Sequence, residues 1–294
     1  MIKLKLFLVT LLPHHFLSRI MFLLTRSSRF PFLKRIMRHY IKKYDINMNE
    51  AQYSDLDAYP TMNALFTRAL KPEARPVDKH PESVCSPVDG TVSEIGKIDQ
   101  NRLFQAKNHS FVLQALMGGL ENRARPFYNG SFATVYLSPK DYHRVHMPYE
   151  GKLREMIHVP GRLFSVAPDY VNNIPRLFAR NERVISIFDT DRGPMAVILV
   201  GAIFVSSIET VWAGTIVPPR ARRVTVVDYT HGPHHITLAK GEEMGRFNMG
   251  STVIVLFADR VQWEAPLTRE TRVVLGRKMG RFAAQAAPTK TGNA

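Results

Sequence analysis

Short apolar runs, broken by proline or by basic residues, make up the beginning of the chain. The first run, residues 6–12, ends at Pro13, and the second, residues 16–24, contains Arg19. Both are far shorter than the ~20 apolar residues that a membrane-spanning helix needs. No small-x-small cleavage site follows the first run. The pattern therefore predicts neither a membrane span nor a cleaved signal peptide.

Residues 32–44 show the spacing of an amphipathic helix. Six apolar residues recur on one face: Leu33, Ile36, Met37, Tyr40, Ile41 and Tyr44. Five basic residues lie on the remainder: Lys34, Arg35, Arg38, Lys42 and Lys43. Such a helix suits the headgroup region of an anionic bilayer, although the same face could pack against the protein core. Because no Asp or Glu occurs before Asp45, the sequence favours the membrane surface.

From Gly90 onward the pattern changes to short β-rich runs separated by turn residues. Six runs are predicted as strands: 91–95, 132–137, 184–188, 195–200, 224–227 and 252–257. One helical interruption is predicted near residues 110–117. Helices and strands do not alternate as they do in parallel sheets, so we predict an α+β fold. It is a mostly antiparallel β domain preceded by amphipathic N-terminal helices.

These changes of pattern also divide the chain. Residues 1–60 are predicted to form a helical arm at a membrane surface, and residues 61–282 the main domain. Four prolines within residues 72–87 indicate an extended connector at the start of that domain. The small, polar residues 283–294 are predicted to be disordered.

Charge and composition indicate what the arm binds. The net charge is +15, and residues 1–44 contain ten Lys or Arg residues and no acid, which leaves only +5 for the other 250 residues. An arm that is both basic and apolar favours a lipid surface over nucleic acid, for which no module is recognisable. The single cysteine, Cys85, excludes an internal disulfide and fits a reducing compartment. No Cys/His cluster has metal-ligand spacing, so no metal is expected.

Three segments carry candidate chemistry. They are residues 86–90 with Asp89, residues 138–148 with His143 and His146, and residues 247–252 with Ser251. Each segment alone is typical of an ordinary turn or strand entry. Together they provide an Asp, a His and a Ser, the parts of an activated nucleophile. Composition alone does not show that these side chains meet.

The motifs Pro87-Val88-Asp89-Gly90, Tyr142-His143-Arg144-Val145-His146 and Met249-Gly250-Ser251-Thr252 resemble signatures of phosphatidylserine decarboxylases. Asn63-Ala64-Leu65-Phe66-Thr67-Arg68, followed by Leu70-Lys71-Pro72 and Ala74-Arg75-Pro76, is similar to a further segment of that family. The resemblance runs in order from about residue 63 to residue 257. One departure is Met249, where the common form has Leu. Since both side chains are apolar and similar in volume, we expect no functional effect.

The resemblance implies a proenzyme that cleaves itself between Gly250 and Ser251. Asp89 would orient His146 and stabilise its charged form, and His146 would remove the proton of Ser251. Attack of the serine oxygen on the Gly250 carbonyl, followed by β-elimination and hydrolysis, would leave a pyruvoyl group at position 251. The β chain, residues 1–250, and the α chain, residues 251–294, would stay associated, and this unit could form a homodimer.

The same resemblance implies the reaction. The pyruvoyl cofactor would form a Schiff base with phosphatidylserine, and loss of CO2 would give phosphatidylethanolamine, a step of phospholipid biosynthesis. His143 or His146 is the candidate proton donor to the α-carbon, and His143 is preferred. Arg162 and Phe164, in the apolar stretch 160–177, are candidate substrate-binding residues, with packing on the core as the alternative. The predicted location is peripheral, on the cytoplasmic face of a bacterial cell membrane.

Three other functions remain open at this point. A pyruvoyl decarboxylase of a soluble amino acid would share the chemistry but would not need the basic, apolar arm. A non-catalytic lipid-binding homologue would not need Asp89, His146 and Ser251 together. A serine hydrolase usually places its nucleophile in a Gly-x-Ser-x-Gly elbow, which Ser251 lacks.

Overall fold

Antiparallel sheets dominate the computed structural model, which describes residues 9, 12–29, 31–106, 109–204, 207–217, 223–231, 235–248 and 252–283. Its α-helices are α1 His14–Arg26, α2 Leu33–Tyr44, α3 Met62–Phe66, α4 Leu113–Leu116, α5 Glu121–Ala124, α6 Pro168–Val171 and α7 Leu177–Arg180. Its first nine strands are β1 Ser83–Cys85, β2 Gly90–Lys97, β3 Arg102–Ala106, β4 His109–Val112, β5 Ser131–Tyr136, β6 Arg144–His146, β7 Gly151–Val159, β8 Arg183–Thr190 and β9 Gly193–Val200. The other nine are β10 Ile208–Thr210, β11 Gly214–Val217, β12 Thr225–Asp228, β13 Thr237–Leu238, β14 Glu243–Phe247, β15 Thr252–Phe257, β16 Val261–Trp263, β17 Arg272–Val273 and β18 Lys278–Phe282.

The largest sheet has the strand order β12-β7-β8-β9-β15-β5-β2-β17, with β13 also paired to β7. Its strand pairs are antiparallel. A second sheet has the order β11-β10-β14-β6, a third the order β1-β18-β16, and β3 pairs with β4. The predicted α+β class, with helices before a mostly antiparallel β domain, is confirmed.

The strand β15 lies in the middle of the largest sheet and is buried along its whole length. Ile254 lies opposite Thr134 of β5 on one side and Ile198 of β9 on the other. A strand that is buried on both faces has a continuous apolar sequence rather than an alternating one. The run Val253-Ile254-Val255-Leu256-Phe257 has this property, which explains why β15 could be predicted from the sequence.

All six predicted strands are present, as β2, β5, β8, β9, β12 and β15, and α4 lies within the predicted helical interruption. The prediction missed β7, which contains charged residues that interrupt its apolar pattern. Three of them have partners in the fold: Arg154 binds Asp189, Glu155 binds Arg123, and His158 binds Glu182. Partners that are distant in the sequence thus accommodate the charged residues of a strand that the local pattern does not predict. The predicted tail lies, apart from Ala283, outside the described residues.

The helix α2 packs on the protein through the face that was predicted to meet the membrane. Met37 is fully buried with Tyr59 and Leu65, and Leu33 and Ile41 pack against the same cluster. For this face, core packing is therefore correct, because residues 56–65 fold back over it. The basic side chains of α2, such as Arg38 and Lys42, remain exposed.

The helix α1 has the opposite arrangement, with polar residues inside and apolar residues outside. His14, Ser18 and Thr25 are buried, and Phe204 donates its backbone N–H to Ser18 Oγ at 3.2 Å. The large exposed apolar side chains of α1 are Phe16, Ile20, Leu23 and Leu24. Among the described helices, none is long and apolar enough to cross a membrane.

Candidate active site

Asp89 is a buried carboxylate immediately before β2, with 3% of its surface exposed. Arg75 donates from Nε to Oδ1 at 3.0 Å and from Nη2 to Oδ2 at 2.7 Å. The backbone N–H of Leu275 donates to Oδ1 at 2.9 Å. The neighbouring Gly90 has no room for a side chain, since a Cβ there would lie 2.6 Å from the Tyr136 carbonyl oxygen. The fork of Arg75 therefore fixes Asp89 as an oriented anion.

Arg75 itself is held by a second carboxylate. Its Nη2 also donates to Glu50 Oε2 at 2.8 Å. Burial by itself would lower the pKa of Arg75, but the hydrogen bonds that Arg75 donates to Asp89 and Glu50 outweigh it and raise that pKa. The guanidinium thus remains charged and ties the N-terminal segment to the site.

His146 lies on β6, beside the turn that carries Asp89, and its backbone N–H donates to Pro87 O at 2.9 Å. The imidazole Nδ1 lies 2.8 Å from the carbonyl oxygen of Gly241. Among the described residues, the hydrogen bond that orients His146 is accepted by the Gly241 carbonyl, whereas the carboxylate of Asp89 is bound by Arg75 and Leu275. The expected orienting role of Asp89 is thus not a direct hydrogen bond here. Burial lowers the pKa of His146, and the charge of Asp89 opposes this effect only weakly.

His143 is fully buried in the turn that precedes β6. Its Nδ1 lies 2.7 Å from Asp141 O, and its ring lies 4.0 Å from that of Phe66 between centroids. Burial lowers the pKa of His143 to about 3. This histidine is therefore neutral at physiological pH.

The tautomer of both histidines follows from these hydrogen bonds. A carbonyl oxygen can only accept, so Nδ1 of His143 and of His146 carries the hydrogen and Nε2 has a free lone pair. Both Nε2 atoms are buried and have no hydrogen-bond partner among the described residues. Each of these two lone pairs can accept a proton from a group that the described contacts do not include.

The turn between β5 and β6 is fixed by Asp141. Its Oδ2 accepts from the backbone N–H of Ser138 at 2.7 Å and from its hydroxyl at 2.8 Å. Its Oδ1 lies 2.5 Å from Nη2 of Arg272. Because Asp141 also supplies the carbonyl that holds His143, these bonds set the position of the histidine.

The ends of several strands bring the strand that follows Asp89, the segment with His143 and the described residues on either side of 249–251 to one corner of the large sheet. Tyr136, at the end of β5, pairs with Thr91 on one side and with Thr252 on the other. Phe247, at the end of β14, donates its backbone N–H to His143 O at 3.0 Å. The segment 249–251, with Gly250 and Ser251, lies outside the described residues, but Phe247 and Thr252 bracket it at this corner.

The residue before this segment is also firmly held. Asn248 donates its backbone N–H to Ser207 O at 3.0 Å and its side-chain N–H to Glu209 Oε1 at 2.8 Å. Arg26, at the end of α1, forms an ion pair with the same Glu209 at 3.2 Å. A direct chain of contacts therefore links the helix with the exposed apolar face to the residue next to 249–251.

The two candidate substrate-binding residues have different positions. Phe164 is buried in the main core, where Arg180 stacks on its ring at 4.8 Å, so core packing is its observed role. Arg162 is exposed and lines a cavity of about 470 Å³ with His15, Gly161 and Arg180. A role of Arg162 in substrate binding stays a prediction.

Several residues of this corner were not among the candidates. Arg68 and Arg75 belong to the family-like segment near the start of the domain, so a signal for them existed. Phe66 stacks on His143, and Gly241 contributes only its carbonyl oxygen. No side-chain pattern could have indicated Gly241, since every residue has that group. No set of three potential metal-ligating side chains occurs among the described residues.

The fold and the site define an α+β protein of antiparallel sheets with a buried carboxylate and two buried histidines near the ends of its strands. The profile of the family described as phosphatidylserine decarboxylase matches residues 62–281. Since this is well over half of the chain, the chain belongs to the phosphatidylserine decarboxylase family. The resemblance inferred from the motifs is confirmed.

Individual relatives extend the similarity beyond the matched domain. The phosphatidylserine decarboxylase proenzyme of Ectopseudomonas mendocina is 53% identical over 285 residues, covering 95% of this chain and 98% of the relative. That of Bordetella avium is 57% identical over 267 residues, covering 89% and 90%. That of Stutzerimonas stutzeri is 50% identical over 291 residues, covering 97% of each. These relatives share the name of a decarboxylase that is made as a precursor.

Proposed function

We propose that this chain converts phosphatidylserine into phosphatidylethanolamine and CO2 with a pyruvoyl group made from its own Ser251. The observation that supports the proposal is the strand pairing near the segment 249–251. Phe247 is bonded to His143, His146 pairs with Glu243 of the same strand, and Thr252 shares Tyr136 as a neighbour with Thr91, two residues after Asp89. The names of the relatives support the substrate. The motif Gly250-Ser251 provides a carbonyl and a hydroxyl in neighbouring residues.

In the first stage, His146 acts as the general base of self-cleavage. Its free Nε2 takes the proton of the Ser251 hydroxyl, whose oxygen attacks the Gly250 carbonyl carbon. The C–N bond breaks, the nitrogen receives the proton, and an ester replaces the amide. Loss of the α-proton and cleavage of the Cβ–O bond then release the Gly250 carboxylate. Hydrolysis with one water releases ammonia and leaves the pyruvoyl group.

Asp89 supports this stage electrostatically. A protonated His146 is disfavoured by burial, and the negative charge of Asp89 acts against that effect. Because Arg75 neutralises much of this charge, we expect the support to be modest. Gly241 holds the ring in the tautomer whose Nε2 is free.

One side chain beside the segment fits a carbonyl-containing group at position 251. Thr252 Oγ1 is buried without a hydrogen-bond partner among the described residues, and its hydroxyl can donate to a carbonyl oxygen. When present, the pyruvoyl group supplies an electron-accepting carbonyl for the electron pair released with CO2. His143 is the proposed proton donor to the α-carbon. It is neutral at rest, and because burial lowers its pKa to about 3, its protonated form gives up the proton readily.

The sheet explains how the two products of cleavage would stay together. After the cut, β15 would belong to the α chain, while its neighbours β5 and β9 would belong to the β chain. The strands β17 and β18 would pair across the same division, with β2 and β1. Their backbone hydrogen bonds and buried side chains require no intact link at Gly250. A homodimer of this unit remains a prediction.

The helix α1 is the part of the protein that best suits an anionic membrane surface. Phe16 and Leu23 are each 64% exposed on a helix whose polar residues face the protein. Exposed Arg19 and the basic side chains of α2 lie nearby in the chain. An exposed apolar face with basic flanks inserts favourably among anionic headgroups. We therefore place the protein at the membrane periphery, and the single Cys85 is compatible with the cytoplasmic face.

Purified protein mixed with phosphatidylserine vesicles tests this function. We expect sedimentation with the vesicles, two chains divided at Gly250/Ser251 by mass spectrometry, and conversion of the lipid into phosphatidylethanolamine. The variant Phe16→Ser/Leu23→Ser should sediment less but still divide, because α1 is not part of the cleavage chemistry. Decarboxylation of free serine but not of the lipid would indicate a soluble amino-acid enzyme. Sedimentation of an undivided, inactive chain would indicate a lipid-binding homologue.

The role of His143 can be separated from that of His146. We expect His143→Ala to divide normally but to decarboxylate roughly 10²- to 10⁴-fold more slowly, the usual loss of a general acid or base. The matched control is His158→Gln, a buried histidine whose Nε2 lies 3.0 Å from Glu182 and can be replaced by an amide N–H. Turnover of His143→Ala at the rate of the control would exclude the proposed proton transfer.

A further inference from the structure

Arg68 is a buried cation without a counter-ion. Only 6% of its surface is exposed, and it lies two residues after Phe66, the end of α3, whose ring contacts that of His143. Its Nε is buried without a partner, and no hydrogen bond or ion pair of its guanidinium occurs among the described residues. A guanidinium has five N–H donors, so leaving it buried and unpaired is unfavourable.

Two other buried arginines among the described residues are bound by protein groups. Arg183 donates to four backbone carbonyls, at distances from 2.6 to 2.9 Å. Arg192 binds Glu82 and the carbonyl of Ala283. Arg68 is as buried as these residues but lacks such partners. This difference indicates a partner that is not part of the protein.

The surroundings of Arg68 place that partner at the active site. Asp89 is the one carboxylate among the groups whose charges act on Arg68, and it is already bound by Arg75. Burial lowers the pKa of His143, and the charge of Arg68 adds to that effect. The guanidinium is thus close enough to His143 for its charge to lower the pKa of that histidine.

The nearby tyrosines do not serve as counter-ions. Tyr40 and Tyr59 donate their hydroxyl hydrogens to Pro139 O at 2.9 Å and to Tyr53 O at 2.6 Å. Burial raises the pKa of Tyr40 and of Tyr59, so both stay neutral. Burial likewise raises the pKa of Tyr142 to about 12. The three tyrosines near Arg68 are therefore polar but uncharged, and none of them balances its positive charge.

From this arrangement we infer that Arg68 binds the phosphodiester group of the lipid substrate. The inference rests on the proposed function and adds a residue that recognises the headgroup. A planar guanidinium matches two oxygens of a phosphate with parallel hydrogen bonds. Once bound, the phosphate is the missing counter-ion.

The substrate also has a carboxylate, but the reaction argues against it as the ligand of Arg68. An ion pair with the carboxylate would stabilise the ground state and would be lost as CO2 leaves, which raises the barrier. The phosphate keeps its charge throughout the reaction, so binding it does not oppose the chemical step. Arg68 can therefore contribute to affinity without slowing decarboxylation.

Binding of two soluble probes to the whole protein tests this assignment by calorimetry. Glycerophosphocholine has a phosphodiester but no carboxylate and no reactive amine, and L-lactate has a carboxylate but no phosphate. We expect Arg68→Met to weaken binding of glycerophosphocholine roughly 10- to 100-fold and to leave L-lactate unchanged. Arg68→Lys should recover part of the affinity. The control Arg154→Met removes an exposed ion pair with Asp189 and should bind both probes like the parent.

Activity and stability give two further readouts. In Arg68→Met we expect self-cleavage to be normal and the loss in kcat/KM to appear mainly in KM. Its unfolding midpoint should equal or exceed that of the parent, because an unpaired buried charge is removed. Equal glycerophosphocholine affinity in parent and Arg68→Met, selective loss of L-lactate binding, or a lower unfolding midpoint would each overturn the inference. Neither probe needs turnover, so the binding measurement remains valid even if the chain does not decarboxylate the lipid.

Discussion

A Ser251→Ala variant is expected to remain one chain of 294 residues and to release no CO2 from phosphatidylserine. The parent protein should instead divide into residues 1–250 and 251–294. The physical reason is that alanine has no oxygen to attack the Gly250 carbonyl, so neither the ester nor the pyruvoyl group can form. We expect activity to fall by at least about 10⁴-fold, as when other enzymes lose their nucleophile. Intact-mass spectrometry and lipid analysis measure the two effects.

Two controls make this result specific. Ser251→Cys keeps a nucleophile and should divide at least partly. Thr252→Ser, at the next position, keeps the hydroxyl at the start of β15 and should divide and decarboxylate like the parent. If Ser251→Ala still divided at the same bond, the proposed self-cleavage by Ser251 would be wrong.

Arg75→Met is expected to have the largest effect on folding. It would leave Asp89 as a buried anion with one remaining backbone donor, from Leu275. Removing one partner of a buried ion pair destabilises proteins by about 3–5 kcal/mol. Urea unfolding of the undivided Ser251→Ala background measures the change without interference from cleavage.

The double variant Arg75→Met/Asp89→Asn provides the matched test. With both charges removed, much of the lost stability should return, since no uncompensated anion remains. Arg154→Met, which breaks an exposed pair with Asp189, should change the free energy of unfolding by at most about 1 kcal/mol. Equal destabilisation in the single and double variants would show that Arg75 acts by packing rather than by neutralising Asp89.

The partners of Asp89 illustrate the limit of prediction from the sequence. Asp89 was correctly placed beside Gly90 at a tight turn, because that motif is local. Arg75 lies in a different motif and Leu275 is 186 residues away, so their hydrogen bonds with Asp89 follow only from the fold. The same holds for Gly241, whose carbonyl orients His146.

The amphipathic helices show the other limit. The spacing of apolar residues predicted the helix α2 correctly, but not that residues 56–65 would cover its apolar face. Periodicity identifies a face and leaves open what contacts it. The exposed apolar side chains proved to be those of α1, where buried His14 and Ser18 face the protein.

The sequence by itself determined the strands with continuous apolar runs, the α+β class and the motifs that contain Asp89, His146 and Ser251. These depend on local composition and order, which a chain carries in any conformation. Only the tertiary structure decided that Asp89 is bound by Arg75, that His143 is neutral and that Arg68 lacks a counter-ion. Burial and ion pairing depend on residues that are distant in sequence, and only the folded chain brings them together.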